Sequence, residues 1–245
     1  MTQSATQECH RKYTAINLAA DRARRGRLDF VLDRYSVQNA DVLDIGCGPG
    51  VQFLASLESN RFTGMDISAE ALGQAKTNGY KHTLQWDLSQ DLPLDDGTFD
   101  VVVLTDILEH MIEPEQLLLE ARRMLRPGGI MIVSVPNHFF LWNRLRIMMG
   151  RGLILPWSNH QEYEDWNYFH YRFFRRESIR SLLDTVGLCV DSDYAGHFLA
   201  PLPPIGPLNY VVKALRRWPL RKSVDLWTLH FMFVCKHAGE CLSAE

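Results

Sequence analysis

The chain has little of what marks a disulfide scaffold, a zinc module or a membrane protein. Its 245 residues include five cysteines, Cys9, Cys47, Cys189, Cys235 and Cys241, an odd number with no C-x-x-C pair. That pattern argues against a disulfide framework and a structural zinc site, and plain thiols are expected. No uncharged apolar run approaches the length that crosses a bilayer, and the polar segment 1–7 lacks the apolar centre of a signal peptide. No integral membrane segment is therefore expected, and a cytoplasmic location follows. Charge of one sign is also lacking: the formal net charge is −3, which gives no reason to expect nucleic acid as a partner. Two local basic clusters, at 11–27 and 213–222, read as solvated helix faces, with an anion or membrane-surface patch as the alternative. No internal repeat is evident. With 46% apolar and 22% charged residues, the chain suits one soluble α/β domain spanning 1–245.

What is present is concentrated in Val42-Leu43-Asp44-Ile45-Gly46-Cys47-Gly48-Pro49-Gly50. An apolar run suited to a buried strand stops on three glycines spaced two apart, where missing Cβ atoms leave room for a ligand against backbone. Val51, Leu54 and Leu57 then suggest a helix whose free N–H groups would point back to that loop. Further on, Phe62-Thr63-Gly64-Met65-Asp66-Ile67 reads as a second strand with an acid at its end, where a parallel α/β sheet places a ribose-binding carboxylate. A dinucleotide fingerprint would need G-x-G-x-x-G, but its third glycine position holds Val51, which argues against NAD.

The remaining chain alternates as an α/β fold should. A helix of about 14–35 precedes the first strand. Ser68 caps a helix reaching about Thr77, and His82 to Asp87 reads as strand three. The near-continuous β-branched run Phe99 to Asp106 marks a central strand buried on both faces. Pro114 opens a helix with Leu117, Leu118, Ala121, Met124 and Leu125 on one side, and Pro127-Gly128-Gly129 is expected to stop it before the strand Ile130 to Val135. A helix from Arg176 to Val186 and strands from Leu188 to Tyr194 and Trp227 to Lys236 complete the series. Two insertions, 137–175, rich in aromatics, and 196–223, with four prolines, leave the carboxyl ends of strands and are expected to form lids or substrate walls.

The strings VLDIGCGPG and GMDIS resemble motifs I and II of the class I S-adenosylmethionine (SAM) dependent methyltransferases. The resemblance implies a Rossmann-like seven-stranded sheet, mostly parallel with an antiparallel last strand beside strand five and helices on both faces. It implies SAM as cofactor, with S-adenosylhomocysteine as product. Asp44, Gly46, Cys47, Gly48 and Gly50 would face the methionine part, Asp66 and Ile67 the ribose, Asp87 and Leu88 the adenine, and Thr105 the methyl-bearing end. Tyr13, upstream of the loop, would either fold over the cofactor or anchor the first helix. Within Leu108-Glu109-His110, His110 would act as a base toward the acceptor or brace the loop.

Methyl transfer needs no metal, and the spacing of His138, His160 and His170 with Glu162, Glu164 and Asp165 matches no metal-site pattern, so none is expected. Val135-Pro136-Asn137, Trp142, Arg144, Arg146, Gly150, Arg151, Trp166-Asn167 and His170 add a resemblance to MetW-like and methyltransferase type 11 proteins. This implies a small-molecule or lipid-linked acceptor such as a glycolipid. Alternatively, it implies a SAM-binding accessory role beside an acyltransferase partner in methionine biosynthesis.

Overall fold

Runs of Val, Ile and Leu bounded by turn residues become strands, and their order decides where the site can lie. The computed structural model describes residues 28–153, 170–195 and 224–241. Strands β1 (Asp41–Ile45), β2 (Arg61–Asp66), β3 (His82–Gln85), β4 (Phe99–Thr105) and β5 (Leu125–Pro136) pair in parallel. β7 (His230–His237) lies antiparallel between β5 and β6 (Leu188–Asp193), which gives the order β3-β2-β1-β4-β5-β7-β6. This is the expected class I methyltransferase sheet.

Side-chain alternation sends each central strand's residues to two cores. On one face Leu43, Ile45, Val102, Leu104, Met131 and Val133 meet α3 (Pro114–Met124) and α5 (Arg176–Thr185). On the other, Val42, Val101, Val103 and Ile132 meet α1 (Asp29–Arg34) and α2 (Ala69–Asn78). Because β4 is covered on both sides, its Val101 to Leu104 run carries no polar residue. Two shorter helices, α4 (Leu141–Met148) and α6 (Val224–Trp227), follow β5 and precede β7. Ser68 does cap α2, its Oγ accepting from the Ala71 N–H at 3.2 Å. Among the described residues no helix is long and apolar enough to cross a membrane.

Several expectations are corrected. Residues 52–59 form consecutive turns rather than a helix. The buried Asp29 carboxylate on α1 accepts from the Ala55 and Ser56 N–H groups at 3.3 and 3.1 Å and from Ser56 Oγ at 2.5 Å. Those N–H groups would otherwise seek carbonyls four residues back, and a charged acceptor outcompetes them. Pro127-Gly128-Gly129 is not a helix stop: α3 ends at Met124, Leu125 already pairs with Phe99, and the triplet bulges within β5. A Cβ on Gly129 would stand 2.8 Å from the Asp100 carbonyl, which is why the bulge carries glycine. The last strand starts at His230 rather than Trp227, which ends α6. Finally, Cys189 and Cys241 are disulfide-bonded across a separation of 52 residues, while Cys47 and Cys235 remain buried thiols. Antiparallel pairing of β6 with β7 brings the two half-cystines together, a proximity that cysteine spacing alone does not encode.

Tyr13, His160, Glu162, Glu164, Asp165, both basic clusters and the insertion 196–223 lie outside the described residues, as does the part of the first helix before residue 28.

Candidate functional site

β1 ends at Ile45, and the next two N–H groups, of Gly46 and Cys47, both donate to the Met65 carbonyl on β2 at 2.8 and 3.0 Å. The loop thus turns over the end of the neighbouring strand with Gly46, Gly48 and Gly50 at φ of +73°, +53° and +66°. The three glycines are there for different reasons. A Cβ on Gly46 would meet Ile107 at 2.9 Å, and one on Gly50 would meet the Tyr80 ring at 2.5 Å. Only Gly48 faces open space. Two of the three therefore make room for protein side chains, and one leaves backbone open to a ligand.

Asp66 closes the loop from the end of β2. Its Oδ2 accepts from the Gly48 N–H at 2.9 Å and its Oδ1 from the Ser68 N–H at 2.8 Å, with the side chain almost fully buried. A carboxylate has about four acceptor positions, the number a residue needs to serve a loop and a diol together. Next to it, the Ile67 carbonyl accepts from Gln85 Nε2 at 3.0 Å. Asp87 lies just past β3, its Oδ1 accepting from the N–H and Oγ of Ser89 at 3.0 and 2.7 Å, and Leu88 is partly buried against the core. Thr105, at the end of β4, is buried with no hydrogen-bond partner for its Oγ1.

Two residues of the glycine motif turn inward instead. The Cys47 thiol lies 2.7 Å from where a Cβ on Gly64 would be, and burial pushes its pKa up, so any role toward a ligand falls to its backbone. Asp44 is buried and its Oδ2 accepts from Tyr80 Oη at 2.6 Å. Burial pushes its carboxyl up to about 7, against the lowering effect of the Tyr80 hydrogen bond, and the Asp66 charge adds to the rise. Tyr80 escaped sequence reasoning; the only hint is that Gly50 and Gly64 both lack a Cβ where its ring lies.

A second group gathers where β4 and β5 end and antiparallel β7 begins. Asp106 follows β4 in the left-handed region, φ +53°, its N–H donating to the Ser134 carbonyl at 2.9 Å. A non-glycine residue held there is a mark of a constrained site. His230 Nδ1 stands 3.2 Å from Asp106 Oδ1. A 3-10 turn, Leu108–His110, presents Glu109 and His110, and the Glu109 carbonyl accepts from the Tyr171 and Arg172 N–H groups at 2.8 and 3.1 Å. That contact holds His170 against the turn. His170 Nδ1 meets His138 Nε2 at 2.6 Å, and the His110 and His170 rings stand edge to face at 4.6 Å.

One ligating atom each from Glu109, His110 and His170 lies within 4.8 Å of the other two. Burial pushes the His138 imidazole down to about 4, and that of His170 well below the usual range, with neighbouring histidines adding to both. The spacing argument against a metal thus set aside two histidines, His138 and His170, that the fold brings together. It did not group them with Glu109 and His110, and His230 carried no sequence signal.

The loop residues fit an adenosyl ligand: among the described residues no atom stands within 4 Å of a Cβ placed on Gly48, a carboxylate lies beside it, and the buried Thr105 hydroxyl has no hydrogen-bond partner. The methyltransferase domain family model matches residues 18–193, well over half of the chain. A probable S-adenosylmethionine-dependent methyltransferase of Mycolicibacterium smegmatis is 30% identical over 153 residues, covering 62% of this chain and 52% of that protein. The ubiquinone biosynthesis O-methyltransferase of Xanthomonas oryzae pv. oryzae is 33% identical over 118 residues, 45% of this chain and 49% of its own length. The chain spans about half the length of these curated relatives. Among solved structures, a SAM-dependent methyltransferase from Clostridium acetobutylicum superposes with a TM-score of 0.56 at 16% identity, over 86% of this chain and 90% of that one. At that identity the likeness concerns the fold alone.

Proposed function

The chain belongs to the methyltransferase domain family, and from that premise we propose that it methylates the hydroxyl oxygen of a small molecule held beyond the carboxyl ends of β4 and β5. When bound, SAM supplies an electrophilic methyl on a positively charged sulfur. The protein's task is then to hold two reactants in line at near-attack distance, which is where most of the rate gain in such a displacement arises.

The observation that carries this reading is the hydrogen bond from the Gly48 N–H to Asp66 Oδ2, which joins the glycine loop to the acid 18 residues on. Asp66 would accept the ribose hydroxyls, the Gly46 to Gly50 backbone would border the methionine part, Asp87 and Leu88 the adenine, and Ile67 and Thr105 the space between. Cys47 and Asp44 would support the loop from behind, through backbone and through Tyr80. His110 is the part-exposed member of the histidine group, so it is the group that an acceptor hydroxyl would meet and to which it would yield its proton. The O-methyltransferase named above acts in its own setting on an oxygen, and that chemistry gives a base at this position a task.

Calorimetry with SAM, S-adenosylhomocysteine and NAD tests the pocket. SAM and its product should bind and NAD should not, and Asp66→Ala should weaken SAM on the order of 100-fold, as expected when a carboxylate that takes two charge-assisted donors is removed. Undiminished binding by that variant would place the ribose elsewhere.

A further inference from the structure

We propose that Glu109, His110 and His170 form a binding site for one divalent transition-metal ion of the zinc class, with His138 orienting His170. The three ligating atoms lie within 4.8 Å of one another. Ligands about 2.1 Å from a tetrahedral ion stand about 3.4 Å apart, so side-chain rotations that draw the widest pair in by about 1.4 Å close the set. His110 is the least buried of the three and the ring with most room to make them.

The surroundings match what a metal-bound histidine needs. His170 Nδ1 meets His138 Nε2 at 2.6 Å, a contact that sets the angle of the His170 ring, as the outer partner of a metal-bound histidine does. His138 is itself held, since its carbonyl accepts from Asn143 Nδ2 at 2.9 Å. The two backbone hydrogen bonds from Tyr171 and Arg172 to the Glu109 carbonyl keep the two ligand-bearing segments in register. Two imidazoles and one carboxylate select zinc, cobalt or nickel over magnesium and calcium, which prefer all-oxygen sets.

Three protein ligands leave a fourth position open, as catalytic rather than structural sites do. An ion there makes His110 a ligand and passes the activation of an acceptor hydroxyl to the metal. That consequence rests on the proposed function; ion binding itself does not.

The test uses the full chain stripped with a chelator, without SAM or acceptor, and reads binding of Co2+ by its visible ligand-field bands and of Zn2+ by equilibrium dialysis. One ion per chain is expected, with Zn2+ displacing Co2+ and excess Mg2+ failing to. His170→Gln and Glu109→Gln should each weaken binding at least 100-fold, and His138→Asn on the order of 10- to 100-fold with the stoichiometry kept at one. SAM affinity equal to that of the parent chain shows that each variant is folded; should His170→Gln fail that check, His110→Asn takes its place. A parent chain without ligand-field bands, or bands that survive both Glu109→Gln and the histidine substitution, would overturn the site. Metal binding without SAM binding would support the site and sink the pocket reading, and SAM binding without metal binding would do the reverse.

Discussion

The loop after β1 and the turn after β4 lie at the carboxyl ends of adjacent parallel strands, yet one is closed by backbone and the other by side chains. At the first, N–H groups of Gly46, Cys47 and Gly48 are spent on Met65 and Asp66, and the one open position is a missing Cβ. At the second, Asp106, Glu109, His110, His138, His170 and His230 converge from four stretches of chain. Under the proposed function the difference follows from what each side would meet. A cofactor shared by a whole family is met well by main chain, which every member has. An acceptor or an ion is met by chosen side chains, on segments free to differ.

The contrast is tested most severely inside the glycine loop. Gly50→Ala should cost about 2–5 kcal/mol, because the added Cβ meets the buried Tyr80 ring, and overpacking at about 1–3 kcal/mol adds to a left-handed backbone cost of about 1–2. Gly48→Ala should cost only that backbone part, about 1–2 kcal/mol, yet lose SAM affinity. Urea midpoints and calorimetry on both variants check this, and equal stability losses would show that Tyr80 is not why Gly50 is glycine.

Away from both sides of the site, Cys241→Ser should cost about 2–4 kcal/mol, the usual worth of a bridge that closes a loop of this kind. Thermal midpoints of parent and variant, each with and without reductant, give the answer, and SAM affinity should not change. A parent protein indifferent to reductant would mean that the Cys189–Cys241 bond contributes nothing.

Asp44 gives the loop side a pH signature. Its folded carboxyl sits at about 7 against an ordinary value of 3.8, so between those values the folded chain keeps a proton that the unfolded chain releases. Its contribution to stability is therefore fully present below about 4, declines as pH rises through about 7, and is level above that. Asp44→Asn should flatten this part of the profile by a few kcal/mol, read as denaturant midpoints from pH 4 to 8. A profile unchanged by the substitution would assign the titration elsewhere.

The smallest effect is expected at the opposite end of the strands. Breaking the solvent-screened pair Arg61 Nε to Asp41 Oδ1, 2.7 Å apart, by Arg61→Ala should leave the urea midpoint and SAM affinity almost unchanged. A change in affinity there would show that the loop responds to the amino ends of β1 and β2.

Most of the sheet was legible. The β-branched run at 99–105, the serine cap at 68 and the glycine spacing at 46–50 each report on immediate neighbours, so periodicity and turn chemistry were enough. The helix expected after Gly50 failed because Asp29, far back in the chain, captures its N–H groups. The cysteines failed in the same way, since sheet order and not spacing brought Cys189 to Cys241. Asp44 was expected to face the methionine part and Asp66 the ribose, but the burial of Asp44 against Tyr80 was not legible, because that contact spans 36 residues.

By itself the sequence determined the parallel α/β architecture, the glycine loop after β1 and the acid at the end of β2, since backbone angle and strand alternation are local properties. Tertiary structure alone decided which glycine opens to a ligand, which acid is sealed behind a tyrosine, and that histidines at 110, 138, 170 and 230 share one space. Those outcomes depend on which strand lies beside which, and contact between distant side chains exists only once that order is set.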